Sequence, residues 1–393
     1  MSAGRAAAAG ATREAIPLSV TVHPGGRRQV DADALRACLA DHLQRRCPPG
    51  LSLAVVSSDG VFVEAHGGYA CTVGTLVPVT SSTLYDLASL TKVVCSTTLA
   101  LVARQTGRLR FEDPVASWLP AFPRPDITVQ HLLTHTSGIV EHVAFFETLR
   151  GRGSIEPAVY EWASTATRDG AVRYSDLNFM LVGWLLEACY GLPLDVAFRR
   201  LAAQHGLEGA RFCPPPSSQH ITAATELDGD QRPGPGLVWG EVHDGNAWAL
   251  GGVAGHAGLF APLDSLSRFV QLLLTHAPAA ERAGAPGDAH PTKPAEEPPR
   301  LLDAGSRRLM RTRLAATGTD VRGVGWRLHP TTWGDWSPDT LWHTGFTGTS
   351  LLVAPDQDLG VVLLTNCIHP HRQLEAQAQM REAVHRLIAE QLL

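Results

Sequence analysis

The run LSLAVVSSDGVFVEAHGGYA, from Leu51, holds two apolar stretches broken at Asp59-Gly60. The pattern predicts two strands joined there, because Asp-Gly readily takes the positive-φ geometry of a tight hairpin. A second hairpin is predicted in TSLLVAPDQDLGVVLLTN, turning through Pro355 to Gly360. After it, Leu374, Ala378, Val384, Leu387, Ile388 and Leu392 mark one face of a long C-terminal helix.

Between the hairpins the pattern is helical. LASLTKVVCSTTLALVARQ predicts a buried helix opening near Ser89. DITVQHLLTHTSGI reads as a short helix, LNFMLVGWLLEACYG as a buried helix stopped by Gly191, and LDVAFRRLAAQHG as an amphipathic one ending at Gly206. The simplest fold is α+β. Both chain ends join one mainly antiparallel sheet flanked by helices, and an all-helical subdomain is inserted between them. Residues 1–32 are expected to be a disordered leader and first strand, and 33–393 the main domain. The helical subdomain is expected at roughly 110–270, with a mobile Pro- and Ala-rich surface loop at 277–299.

Composition narrows the class. With 44% hydrophobic and 18% charged residues the chain is globular, and a net charge of −5 without a basic stripe argues against a nucleic-acid partner. No apolar run has the length of a membrane span, so no membrane partner is expected. The N-terminal alanine run is broken by Gly10 and lacks leucine-type bulk. It is expected not to be an export signal, which places the protein in the cytoplasm unless the coding start is misassigned. The seven cysteines are odd in number and lack metal-type spacing, which suits a reducing compartment. Cys95 and Cys189 sit in apolar helical text and are expected to be buried.

Three segments carry candidate chemistry. In Ser89-Leu90-Thr91-Lys92 the serine and lysine lie one turn apart. Spacing alone favours a capping serine with a surface lysine. The apolar run after Lys92 favours a nucleophile beside its proton acceptor, provided that burial lowers the lysine pKa. In Tyr174-Ser175-Asp176, before a buried helix, either the tyrosine enters a cleft as a base or Ser175 or Asp176 merely caps the helix. His343-Thr344-Gly345 leads through small residues into a strand, either as a substrate-binding edge or as an ordinary turn. A fourth segment, EVHDGNAWALGGVAGHAGLF, carries His243, Asp244, Asn246 and His256, either lining a pocket or satisfying its own backbone. His131 and His135 are one turn apart, but Leu-Leu-Thr lies between them, without the glutamate of a metallohydrolase motif. No metal and no organic cofactor is expected.

The ordered set S-x-x-K, Y-S-[ND] and [KH]-T-G resembles the serine β-lactamase and penicillin-binding-protein superfamily. Within it, HLLTHTSGI, GFTGTS and GVVLLTNCIHP resemble the class C-like branch of esterases, D-aminopeptidases, DD-peptidases and amidases. The resemblance covers roughly residues 33–393. The 241–260 segment resembles a subgroup that includes muramyl-peptide amidases of cell-wall recycling.

The resemblance implies a serine hydrolase working through an acyl-enzyme at Ser89, with Lys92 and Tyr174 as a coupled proton relay. It implies an oxyanion site between the backbone N–H groups of Ser89 and Phe346. Asp176, His343, Thr344, Gly345, His243, Asn246 and His256 are then expected at the substrate. The implied substrate is an ester or amide, such as a muramyl-peptide or D-amino-acid-related peptidoglycan fragment. A carboxylesterase, a β-lactamase or DD-peptidase, and a non-catalytic ligand-binding relative are the alternatives. Two departures bear on the choice: His343 stands where the branch often has lysine, and Asp176 where it often has asparagine. Neither supplies what a β-lactam carboxylate needs, a fixed cation or an amide donor.

Overall fold

In the computed structural model, Gly50–Ser57 pairs antiparallel with Gly60–Cys71 through the Asp59-Gly60 turn, where Gly60 takes φ 137°. The structure describes residues 16–23, 29–275 and 300–393; the expected leader before residue 16 and the expected loop 277–299 lie outside the described residues. One sheet runs Leu18–Val22, Gly60–Cys71, Gly50–Ser57, Leu359–Thr365, Ser350–Ala354, Leu341–Thr344, Arg327–Leu328, Asp320–Arg322, Ala315–Thr317. Every neighbouring pair in that order is antiparallel. Both ends of the chain meet at its centre, where Leu53 stands opposite Leu363.

Period-2 alternation divides the strand side chains between two cores. Leu352, Ala354, Val361 and Leu363 pack with Leu35, Leu39 and Leu43 of helix Ala32–Gln44 and with Met380, Val384 and Ile388 of helix Leu374–Leu392. Their neighbours Leu351, Val353, Val362 and Leu364 join the larger core with Leu266, Phe269 and Val270 of helix Leu263–Leu274. Each such aliphatic side chain contributes about 1.5–3 kcal/mol when fully buried. The helices Val129–Leu133, Arg152–Ser164, Asp176–Tyr190 and Leu194–His205 lie between the two sheet-forming halves of the sequence. Asp176–Tyr190 and Leu194–His205 end at Gly191 and Gly206, both left-handed.

Two local expectations are corrected. Leu374 is 51% exposed and Ala378 is exposed; the buried stripe of the C-terminal helix runs through Gln377, Met380, Val384, Ile388 and Leu392. The stripe turns inward on a polar residue because Gln377 donates to a backbone carbonyl beneath it, a reason that apolar periodicity does not display. Cys95 is buried, whereas Cys189 is half-buried. A second, small sheet forms from Tyr85–Asp86, Leu259–Ala261 and Arg211–Phe212, strands too short for a pattern to reveal. It anchors the residues just before Ser89.

Candidate active site

Leu87 donates its N–H to Leu259 O at 2.9 Å, continuing the small sheet. Ala88 then takes φ 46°, a left-handed conformation that a Cβ disfavours. The Asp86 carboxylate holds this bend by accepting the Ala88 N–H at 2.8 Å and the His243 N–H at 2.6 Å. The bend sets half-buried Ser89 at the mouth of the helix, which continues as a wide π-type turn over Lys92–Thr97 and as α-helix over Thr98–Gln105. Wide turns of this kind recur at functional sites.

Lys92 is fully buried, and its Nζ donates to Ser89 Oγ at 2.9 Å, Asp176 Oδ1 at 2.8 Å and His256 O at 3.1 Å. All three ammonium protons are therefore engaged. Burial by itself pulls the Lys92 pKa down, but Asp176 and then Tyr174 outweigh it and raise the group above its ordinary value. This reverses the sequence expectation that burial would bring the lysine toward neutrality. The partner responsible is 84 residues away in the chain. Asp176 is likewise desolvated, yet Lys92 and the His142 side chain hold its carboxyl well below the usual range.

Tyr174 arrives on the loop before helix Asp176–Tyr190. Ser175 caps that helix, accepting from the Asn178 N–H, and its hydroxyl donates to Val140 O at 2.7 Å. Capping and cleft placement thus both hold, on adjacent residues. The Tyr174 ring lies 5.0 Å from Lys92 Nζ and 5.5 Å from the guanidinium of Arg322. It packs on His135, with ring centroids 4.6 Å apart. His135 is itself left-handed, φ 58°, and its Nδ1 accepts the Ser175 N–H at 3.0 Å. Burial first, then Arg322 and Lys92, push the His135 pKa well down, so the ring is a neutral support. His131 instead closes a capping box with Thr128, so the two histidines serve different loops.

The segment after strand Leu341–Thr344 faces Ser89 from the other side. Thr347 Oγ1 donates to Asp86 O at 2.7 Å and Thr349 Oγ1 to Leu87 O at 3.2 Å, which stitches this turn to the nucleophile bend. Gln377 donates to Phe346 O at 3.0 Å, and Arg381 donates to the carbonyls of Gly345, Gly348 and Thr349. Neither the Ser89 nor the Phe346 backbone N–H has an acceptor among the described residues. Two free donors on stitched segments suit an oxyanion.

Gly345 is required there: an added Cβ would lie 2.5 Å from Leu87 O and 2.2 Å from Thr349 Oγ1. Gly345→Ala is expected to push the turn off the bend and lower kcat about 100-fold, with a smaller change in KM. Steady-state kinetics on an activated ester checks this.

The remaining expected substrate residues divide. His343 is buried, with Nδ1 donating to Thr344 O at 3.0 Å. Burial, Arg322 and Lys92 push its pKa well below the ordinary value, so it is neutral. Thr344 is half-buried and Gly345 buried beside it. Asn246 is buried and clamps the preceding loop, accepting from the Phe146 N–H at 3.1 Å and donating to Val143 O at 2.8 Å. His243 is buried; its ring pairs with Glu226 at 2.9 Å and stacks on Phe346 at 5.6 Å. His256 reaches the site through its carbonyl, while its buried ring pairs with Asp244 at 2.8 Å.

Asn246, His243 and His256 therefore shape the site from behind rather than line it. Asp86, His142, Arg322, Gln377 and Arg381 went unnoticed in the sequence, and His135 was read there only as half of a histidine pair with His131. A separate cavity of about 330 Å³, lined by Leu273, Arg307, Arg308 and Asp339, shares no residue with this constellation.

The model of the Beta-lactamase family matches residues 35–385 of the chain. A relative from Escherichia coli (strain K12), named "Putative D-alanyl-D-alanine carboxypeptidase", is 30% identical over 334 residues, 75% of this chain and 71% of that protein. One of the same name from Salmonella heidelberg is 26% identical, over 82% of this chain and 79% of that protein. A penicillin-binding protein homologue from Caulobacter crescentus superposes with TM-score 0.70 at 17% identity, covering 95% of this chain and all of that one (100%). A class C β-lactamase from Rhodobacter sphaeroides gives TM-score 0.65 at 19% identity, over 92% of this chain and 100% of the other. At these identities the two structures speak for the fold.

Proposed function

This chain belongs to the Beta-lactamase family of serine hydrolases, and on that footing we propose that it hydrolyses the amide bond of a peptide ending in D-alanine, through an acyl-enzyme at Ser89. The carrying observation is the 2.9 Å contact of Lys92 Nζ with Ser89 Oγ, made by a lysine that is also bonded to Asp176. A lysine so placed senses the serine proton directly.

Ser89 Oγ attacks the carbonyl carbon, and its proton passes to the Lys92–Tyr174 pair. The negative oxygen is received by the N–H groups of Ser89 and Phe346. The pair returns the proton to the departing amine, leaving an ester on Ser89. Water, deprotonated by the same pair, then releases the acid and restores the serine. Peptidoglycan fragments carry this kind of terminus, and the names of the relatives support that class. The neutral His343 and anionic Asp176 weigh against efficient β-lactam turnover.

The direct test is release of D-alanine from an N-acylated D-Ala-D-Ala peptide, set beside nitrocefin. Nitrocefin turnover at enzyme-like rates without D-alanine release sinks the proposal. A further outcome concerns pH. Attack needs a proton lost from Lys92, so kcat/KM rises with pH. Asp176 raises Lys92. Asp176→Asn removes the anion and is expected to move that rise to lower pH. Rates on p-nitrophenyl acetate between pH 5 and pH 10 report it; a shift to higher pH contradicts the assignment.

A further inference from the structure

We propose that His142 is the group that meets the terminal carboxylate of the substrate, supplying the cation that His343 does not. This rests on the acyl-enzyme reading above and names how its substrate is recognised.

Each other cation near the site is already committed to protein acceptors, Arg381 among them through three carbonyls. Lys92 is fully buried with three acceptors. Arg322 is buried and forked onto Asp320, which also takes Arg327. Arg372 is paired with Glu226 and Asp230. His142 differs. Its side chain is 43% exposed, and its Nδ1 lies 3.6 Å from Asp176 Oδ2, the carboxylate whose other oxygen holds Lys92. Its Nε2 makes no hydrogen bond among the described residues. The imidazole is thus held at one nitrogen and open at the other, on a carboxylate one contact from the lysine that touches Ser89.

The charges facing His142 decide when it is a cation. The Asp176 carboxylate beside it raises its pKa most; burial opposes this, the charge of Asp244 adds to it, and Lys92 subtracts. Glu141, its exposed chain neighbour, is a further anion on the same loop. When His142 is protonated, the cluster Lys92–Asp176–His142 carries one surplus positive charge. When it is neutral, the cluster carries no surplus charge and offers a carboxylate no net attraction. Carboxylate recognition is therefore present below the His142 pKa and lost as pH rises through it.

The test uses an N-acylated D-Ala-D-Ala peptide and the same peptide ending in a carboxamide, which carries no charge at any pH used. The readout is the ratio of kcat/KM for acid over amide between pH 6 and pH 9. In the wild type this ratio is expected to fall about fivefold as pH rises, the scale of one partly exposed ion pair. In His142→Gln it should be low and flat; in His142→Lys, which keeps a fixed charge, high and flat. A ratio in His142→Gln that falls with pH as in the wild type overturns the proposal and leaves the acyl-enzyme reading intact. A flat ratio in the wild type does the same. Hydrolysis of neither peptide by the folded wild type overturns both.

Discussion

Ser89→Ala is expected to lower kcat by about 10⁴-fold or more and to abolish labelling by a fluorophosphonate probe. The size follows from the chemistry. Without Oγ there is no acyl-enzyme, and water must attack the amide directly in a site built for another nucleophile. The two free N–H donors and the substrate pocket remain, so a small residual rate over the uncatalysed reaction is expected. The fold should tolerate the change. Ser89 Oγ takes one bond from Lys92, which keeps Asp176 and the His256 carbonyl, and Ser89 makes no side-chain cap bond. Circular dichroism matching the wild type, beside lost labelling, confines the effect to chemistry. Full activity in this variant would remove the nucleophile from the scheme.

Lys92→Met is expected to fail twice. The proton pair is broken, which should lower kcat by about 10³-fold or more. The fold should also lose about 3–5 kcal/mol, the loss typical of leaving one member of a buried ion pair alone. The unpaired group is Asp176, whose side chain is 19% exposed and whose second oxygen keeps only the 3.6 Å contact to His142. Lys92→Met/Asp176→Asn separates the two losses. With the lone anion neutralised, denaturant midpoints should recover part of the stability while kcat stays low. If the single variant unfolds at the wild-type midpoint, the lysine is not the buried cation described here. If the double variant regains turnover, it is not part of the proton pair.

The second expectation depends on the contact of Lys92 with Asp176, which local sequence does not contain. The S-x-x-K spacing placed Ser89 and Lys92 on one helix face, and the structure keeps them 2.9 Å apart. A one-turn relation is local and needs no tertiary information. The hairpins were equally legible, since Asp59-Gly60 and alternating apolar residues act through near neighbours. The C-terminal helix was legible in existence but not in rotation: its buried face includes Gln377, and Arg381 beside it reaches three carbonyls of the turn at Gly345–Thr349. A polar residue turned inward breaks the pattern from which a face is read.

By itself the sequence determined the two hairpins, the main helices and the pairing of serine with lysine, because those follow from periodicities and spacings within a few residues. Only the tertiary structure decided the charge of the lysine. Burial and an ion pair push its pKa in opposite directions, and which one prevails depends on Asp176 arriving from another helix. The same holds for His243, Asn246 and His256: a loop rich in hydrogen-bonding groups reads alike whether those groups face a ligand or their own backbone. Folding turned Asn246 to the backbone and the two histidine rings to carboxylates behind the site, and left an overlooked histidine, His142, at the opening.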